Sequence, residues 1–269
     1  MKVIRLYILI FSLFLLSLPS ASALAGMSQA GSETYYTTEE ILSFSKKVEK
    51  ILAKKGARVA IIARVGSSRS NLPPGIRFTH TAVAVYSQIT TEDNRVVPGY
   101  AIYNLYQKEQ SPDVSELVQD FPVDFFAGVE VLEAGVIIPT AELQRRLLTI
   151  ISSSSYNNLH NPNYSLIANP FTTDFQNCTE FTLDLITAAI YQTDDVKAIK
   201  LNQRAYFRPQ PLRVSPVKLA LGSMFVADIT TSDHPGSPET ATFTTIGDFL
   251  TNYNAASEVL TITLDAQDG

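Results

Sequence analysis

The stretch RFTHTAVAVY, Arg77 to Tyr86, decides how the rest of the chain is read. Small and β-branched residues follow His80, a composition that suits a pleated strand. Alternation along a strand puts His80, Ala82 and Ala84 on one face. Small side chains there leave room for a helix to approach closely and bring its first turn against the imidazole. A histidine at the head of a strand has its ring held rigidly, as a general base must be.

Working outward, a turn at Glu92-Asp93-Asn94 leads to YAIYNLY, Tyr100 to Tyr106, a second strand. If residues 79–88 and 98–107 pair as a hairpin, His80 lies opposite Asn104 or Tyr106. Asn104 is preferred, because its amide oxygen can accept the ring N–H; Tyr106 is second. Upstream, RVAIIARV (Arg58 to Val65) is a continuous apolar run suited to a buried strand. Before it, Thr37 and Glu40 form a capping box for a helix carrying Ile41, Phe44, Val48, Ile51 and Leu52, closed by Gly56. Gly66 to Gly75 is loop by composition. A strand lies within Val129 to Ile138, and Thr140 opens a helix with Leu143, Leu147 and Ile151 on one face. Ser152 to Asp174 is a polar loop, Gly222 to Ile229 is expected as a late strand, and Asp233 to Pro238 as a loop. There are no repeats. Helix, strands and then helices predict an α+β fold, an antiparallel sheet packed against helices.

After the polar loop comes QNCTEF, Gln176 to Phe181. With Asn177 as N-cap and Glu180 at N3, Cys178 sits at N1 of a helix continued by Phe181, Leu185 and Ala188. Unpaired N–H groups and the positive end of the helix dipole converge there, favouring thiolate and lowering the thiol pKa. The same N–H groups, helped by the Gln176 amide and the Asn177 cap, can hold an oxyanion. A cysteine at a helix start can equally be an inert small hydrophobe. His160 lies in an Asn/Pro-rich loop 18 positions before Cys178 and is a substrate-side candidate, or a solvated loop histidine. His234 sits in a Pro/Gly loop with no strand to hold it. No Gly-x-Ser-x-Gly elbow and no phosphate-cradling glycine pattern occurs.

Met1 to Gly26 has the layout of a secretory signal: Lys2 and Arg5, an apolar run from Leu6, then small residues with A-x-A sites ending at Ala23 or Ala25. The expected divisions are a signal peptide over 1–25, a flexible leader over 26–36 and a single domain over 37–269. The protein is therefore expected in the periplasm or outside the cell, without a stable membrane anchor after cleavage. Of 21 basic residues, Lys2 and Arg5 leave with the signal, so 19 face 26 acidic ones. With no basic run, nucleic acid is excluded as a partner. One cysteine among 269 residues builds no disulfide framework. Three histidines without ligand spacing argue against a metal, and no cofactor is expected.

The His-x-Ala-Val-x-Val strand upstream and Asn-Cys-x-Glu-Phe opening a helix downstream resemble the circularly permuted branch of the NlpC-type papain-like superfamily. Histidine before cysteine is the permuted order. The chain also resembles the bacterial family catalogued as domain of unknown function 2145. That resemblance rests on Val59 to Gly66, Arg77 to Val85, Tyr103-Asn104-Leu105, Leu159-His160, Tyr164 and Gln176 to Phe181. It implies a papain-like domain with Cys178 as nucleophile, His80 as its base, and a polar residue on the neighbouring strand as the third member. Relatives in the permuted branch include amide hydrolases and lipid acyltransferases. The expected function is hydrolysis of amide or peptide substrates, including small or peptidoglycan-derived peptides, through a thioester. The alternatives are a non-catalytic binding module on the same fold, and a lipid or acyl transferase, for which the acidic chain offers little support.

Overall fold

The computed structural model describes residues 35–91, 93–212 and 229–264. The signal peptide, most of the leader and all but the last residue of the expected strand at 222–229 lie outside the described residues. Ile229 itself is not in a strand.

The described residues open with helix α1 (Thr38–Lys54), capped as expected: the Thr37 hydroxyl accepts from the Glu40 N–H and the Glu40 carboxylate accepts from the Thr37 N–H. Five further elements follow: β1 (Val59–Val65), β2 (His80–Thr90), β3 (Val96–Lys108), β4 (Ser111–Asp120) and helix α2 (Pro122–Phe126). Then come β5 (Val131–Pro139), α3 (Ala141–Ile151), α4 (Ser155–Asn158), α5 (Cys178–Tyr191) and α6 (Val196–Tyr206). A short β6 (Gln210–Pro211) pairs with β7 (Glu239–Thr240), and α7 (Phe243–Asn252) and β8 (Ala256–Thr263) finish the described chain.

Among the described residues six strands form one sheet in the order β4-β3-β2-β1-β5-β8, every pair antiparallel. The fold is α+β. β1 is central and buried along its whole length, which is why its sequence is a continuous apolar run rather than an alternation. β4 and β8 are the edges. Their polar, alternating sequences carry a weaker strand signal, and neither stands out in the chain read alone.

The sheet divides the core in two. On one face α3, α5 and α7 pack over Val59, Ile61, Ala63, Val83, Val85 and Ile137. On the other, Phe44, Val48 and Leu52 of α1 with Phe125 and Phe126 of α2 pack over Ala60, Ile62, Ala82, Ala84 and Ile102. Tyr36 joins this second face, and its hydroxyl bonds the Glu130 carbonyl, so the end of the expected leader is part of the packed domain. The small residues after His80 do admit a helix, but it is α1, not the helix that carries Cys178. α5 lies across the opposite face, because Phe181, Leu185 and Ala188 match Val83 and Val85 there.

Candidate active site

His80 and Arg64 are paired across β1 and β2, and both point to the α1–α2 face. His80 is fully buried, its ring stacked on Tyr106 at 4.8 Å between centroids and 10° between planes. The register of β2 on β3, Val83 opposite Tyr103, extrapolates to His80 opposite Tyr106, with Asn104 one pleat away on the same face. His80 Nε2 lies 3.0 Å from Asn104 Oδ1. Asn104 in turn donates from Nδ2 to Asp120 Oδ1 at 2.7 Å, and the Tyr106 hydroxyl donates to Asp120 Oδ2 at 2.9 Å.

This network assigns the tautomer. Because Asp120 claims the amide N–H of Asn104, the amide oxygen must face the ring, so Nε2 carries the hydrogen. Nδ1 is then a lone-pair acceptor, buried and without a hydrogen-bond partner among the described residues. Leaving such an atom unsatisfied costs about 1–3 kcal/mol. Asp120, on edge strand β4, is the residue the sequence reading missed. Its only signal would have been the parity that brings an acid beside Asn104, and β4 was not visible as a strand.

Burial and the Arg64 charge hold the imidazole well below its ordinary value, against the opposing bond from Asn104. The ring is neutral at neutral pH. Burial also pushes Asp120 up to about 6, against the bonds from Tyr106 and Asn104. Arg64 is buried with it; Nη1 donates to the Phe125 carbonyl at 2.6 Å, and the guanidinium lies over the Tyr106 and Phe125 rings.

Cys178 occupies N1 of α5, with Asn177 as N-cap. Its sulfur meets the sheet from the other face, at the end of β2. The Tyr86 N–H donates to the Arg58 carbonyl just before β1, so even residues of β2 turn toward β1 and odd ones toward β3. The ladder to β3 ends at Val83, and beyond it the Thr81 backbone N–H favours the thiolate. Thr179 adds its hydroxyl, 3.7 Å from Sγ, and bonds Thr81 across the gap at 3.4 Å. No hydrogen bond joins Sγ to the His80 ring. Cys178 and His80 thus converge on one strand end, on adjacent sides of Thr81, rather than stacking face to face as the alternation of β2 suggested.

The expectation of a lowered thiol pKa is overturned. Cys178 is 5 % exposed, and burial pushes the thiol up. The Thr81 N–H, the Thr179 hydroxyl, the Arg64 charge and the Thr179 N–H oppose this without reversing it. Desolvation of a buried thiolate outweighs a helix dipole.

The oxyanion assignments are also corrected. Asn177 Oδ1 already accepts from the Thr179 and Glu180 N–H groups, and Asn177 Nδ2 donates to the Leu166 carbonyl and to Thr240. Gln176 spends its amide hydrogens on the Leu159 carbonyl and Asp184, and its oxygen accepts from the Asn161 N–H. Both brace the loop before α5 and leave no side-chain donor for a substrate. Glu180 does not close the capping box; it turns inward to Lys200, 2.6 Å away. His160 bonds Ser115 at 2.9 Å and lines a separate pocket of about 70 Å³ with Gln176, Glu180 and Lys200.

The sulfur opens on a pocket of about 40 Å³, walled by Ile76, Phe78 and Thr79 before β2, Tyr164 and Leu166 before α5, and Thr240 to Thr242. Gly135 makes the packing behind Phe78 possible: a Cβ there would stand 2.7 Å from the Phe243 ring and 2.8 Å from that of Phe78. Among the described residues no group of three or more His, Cys, Asp or Glu could hold a metal ion, and no helix is long and apolar enough to cross a membrane.

No curated protein and no solved structure matches the chain. One family does, described as "Uncharacterized protein conserved in bacteria (DUF2145)", over residues 51–250. With most of its length matched, from within α1 through α7, the chain belongs to the bacterial DUF2145 family.

Proposed function

We propose that the protein is an exported thiol-dependent acyl hydrolase of permuted papain-like, NlpC-type arrangement, cleaving amide or peptide bonds through a thioester on Cys178. The observation that carries this reading is His80 Nδ1: buried, unpartnered, and made a base by the Asn104–Asp120 relay, one residue from Thr81, which bonds the Thr179 hydroxyl beside the sulfur. Asn104 takes the orienting role, and Tyr106 stacks on the ring and braces Asp120.

At rest both partners are neutral, so the chemistry is general-base catalysis rather than a preformed ion pair. Nδ1 accepts the thiol proton as sulfur forms its bond to the substrate carbonyl carbon. The carbonyl π electrons move to oxygen, and the Thr81 N–H, released from the sulfur, bonds that oxyanion. The intermediate collapses, expelling the amine with the proton from the imidazolium. A water, deprotonated at Nδ1, then attacks the thioester, releasing the acid while the proton returns to the sulfur. Small peptides, including peptidoglycan-derived ones, suit a chain exported to the periplasm or beyond.

A second reading is a binding module on the same fold. The buried thiol and the small pocket favour it. Incubation with p-nitrophenyl acetate at pH 8 separates the two. The hydrolase reading expects acetylated Cys178 in the intact mass, absent in Cys178→Ala and much slower in His80→Gln. No acylation of the native chain, or an equal rate in His80→Gln, leaves the binding module standing.

A further inference from the structure

The segment that leads into the pocket wall carries a feature that the acyl chemistry does not use. Arg69 and Arg77, both in the segment between β1 and β2, converge on one carboxylate. Arg69 Nη2 lies 2.5 Å from Glu133 Oε2, and Arg77 Nε lies 2.9 Å from Glu133 Oε1. Glu133 is buried with both oxygens taken, whereas the two arginine side chains are 45 % and 47 % exposed. Two guanidinium charges against one carboxylate leave a net positive charge there. Guanidinium donors are planar and several, so each arginine keeps N–H groups beyond those spent on Glu133.

This charge lies behind one residue of the Cys178 pocket lining, Phe78. The Arg77 guanidinium lies over the Phe78 ring, 5.4 Å from its centroid, and Phe78 lines the pocket. Glu133 and Gly135 share a face of β5, and Gly135 is where the Phe78 ring rests. The arginines are therefore one aromatic ring away from the sulfur's cavity, in a protein whose overall charge is negative.

From this we infer that the site takes acyl substrates bearing a carboxylate near the scissile carbonyl, with Arg77 and Arg69 as the residues that select for it. The inference rests on the hydrolase reading above, and names the substrate class of the same site.

Two alkylating agents of similar size test it without knowledge of the natural substrate. Iodoacetate is anionic and iodoacetamide neutral; each forms a C–S bond at Cys178 and releases iodide, the thiol proton passing to His80 or water. The readout is the iodoacetate-to-iodoacetamide rate ratio at Cys178, divided by the same ratio for glutathione. One unit charge acting through a solvent-exposed setting changes a rate by about two- to threefold. The native chain is expected to exceed glutathione by at least that factor. The ratio should fall by about two- to threefold in Arg77→Gln and in Arg69→Gln, hold in Arg77→Lys, and rise in Glu133→Gln. A ratio equal to glutathione's, or one unmoved by both glutamine variants, overturns the charge selection and leaves the hydrolase reading intact. No reaction with either reagent overturns both.

Discussion

Two buried polar networks flank the first turn of α5, and they are built on opposite principles. Behind the turn, Lys200 Nζ reaches Glu180 at 2.6 Å and both oxygens of Asp184 at 2.8 and 3.0 Å, while Gln203 and Gln176 donate to Asp184. Across the sheet, on the α1–α2 face, His80 donates to Asn104 and Asn104 to Asp120, Tyr106 donates to the same carboxylate, and Nδ1 is left as the open end. The first network is ionic, with one ammonium serving two carboxylates. Burial and the Asp184 charge push Glu180 up, and the two carboxylates push Lys200 up. The second has a single carboxylate at its far end and a neutral ring at its near end. A buried ionic network anchors a helix; a relay with an open end prepares an atom for proton transfer.

The contrast can be broken at either end. Lys200→Met strands the buried Asp184 carboxylate beside the Glu180 carboxyl group and should cost about 3–5 kcal/mol of stability, read by urea unfolding. A loss under about 1 kcal/mol would mean the ionic network is not an anchor. In the relay the effect should fall on rate instead. His80→Gln is expected to slow acylation of Cys178 by about 100-fold, as general-base loss does, while its unfolding midpoint moves less than that of Lys200→Met.

A finer division concerns pH. Asp120 titrates near 6 in the fold against an ordinary 3.8. Between those values the folded state binds more protons than the unfolded one. Stability from this group is therefore fully present below 3.8 and lost as pH rises through 6. Reactivity moves the other way, since ionised Asp120 polarises Asn104 and makes His80 more basic. The native acylation rate should rise through pH 6, and Asp120→Asn should remove that step and lower the rate about tenfold at pH 7.5. An unchanged profile would detach Asp120 from the relay. The smallest effect belongs to Thr179→Val. It removes one hydroxyl that favours the thiolate, and it should slow iodoacetamide labelling of Cys178 at fixed pH by about two- to fivefold, the weight of one neutral hydrogen bond.

What could be read before folding was local. The Thr37–Glu40 cap, the central strand at Val59–Val65, the α5 start at Cys178 and the β2–β3 hairpin all follow from neighbouring residues and their period. The hairpin even brings Asn104 and Tyr106 to His80, because a two-residue period and a turn near Asp93 suffice to set parity. What the chain could not disclose was which helix covers which face. Ala82 and Ala84 invite close packing, but nothing near them in sequence says that α1, some 40 residues earlier, takes the place rather than α5. Asp120 stayed hidden for the same reason, its strand being an edge with polar alternation.

The sequence by itself determined the strand parity, the helix caps and the presence of a lone sulfur beside a helix start, all set within a turn or a pleat. Only the tertiary structure decided that sulfur and imidazole reach the same strand end from opposite faces, and that both are neutral there. Burial sets those protonation states, and burial is a property of what packs from afar.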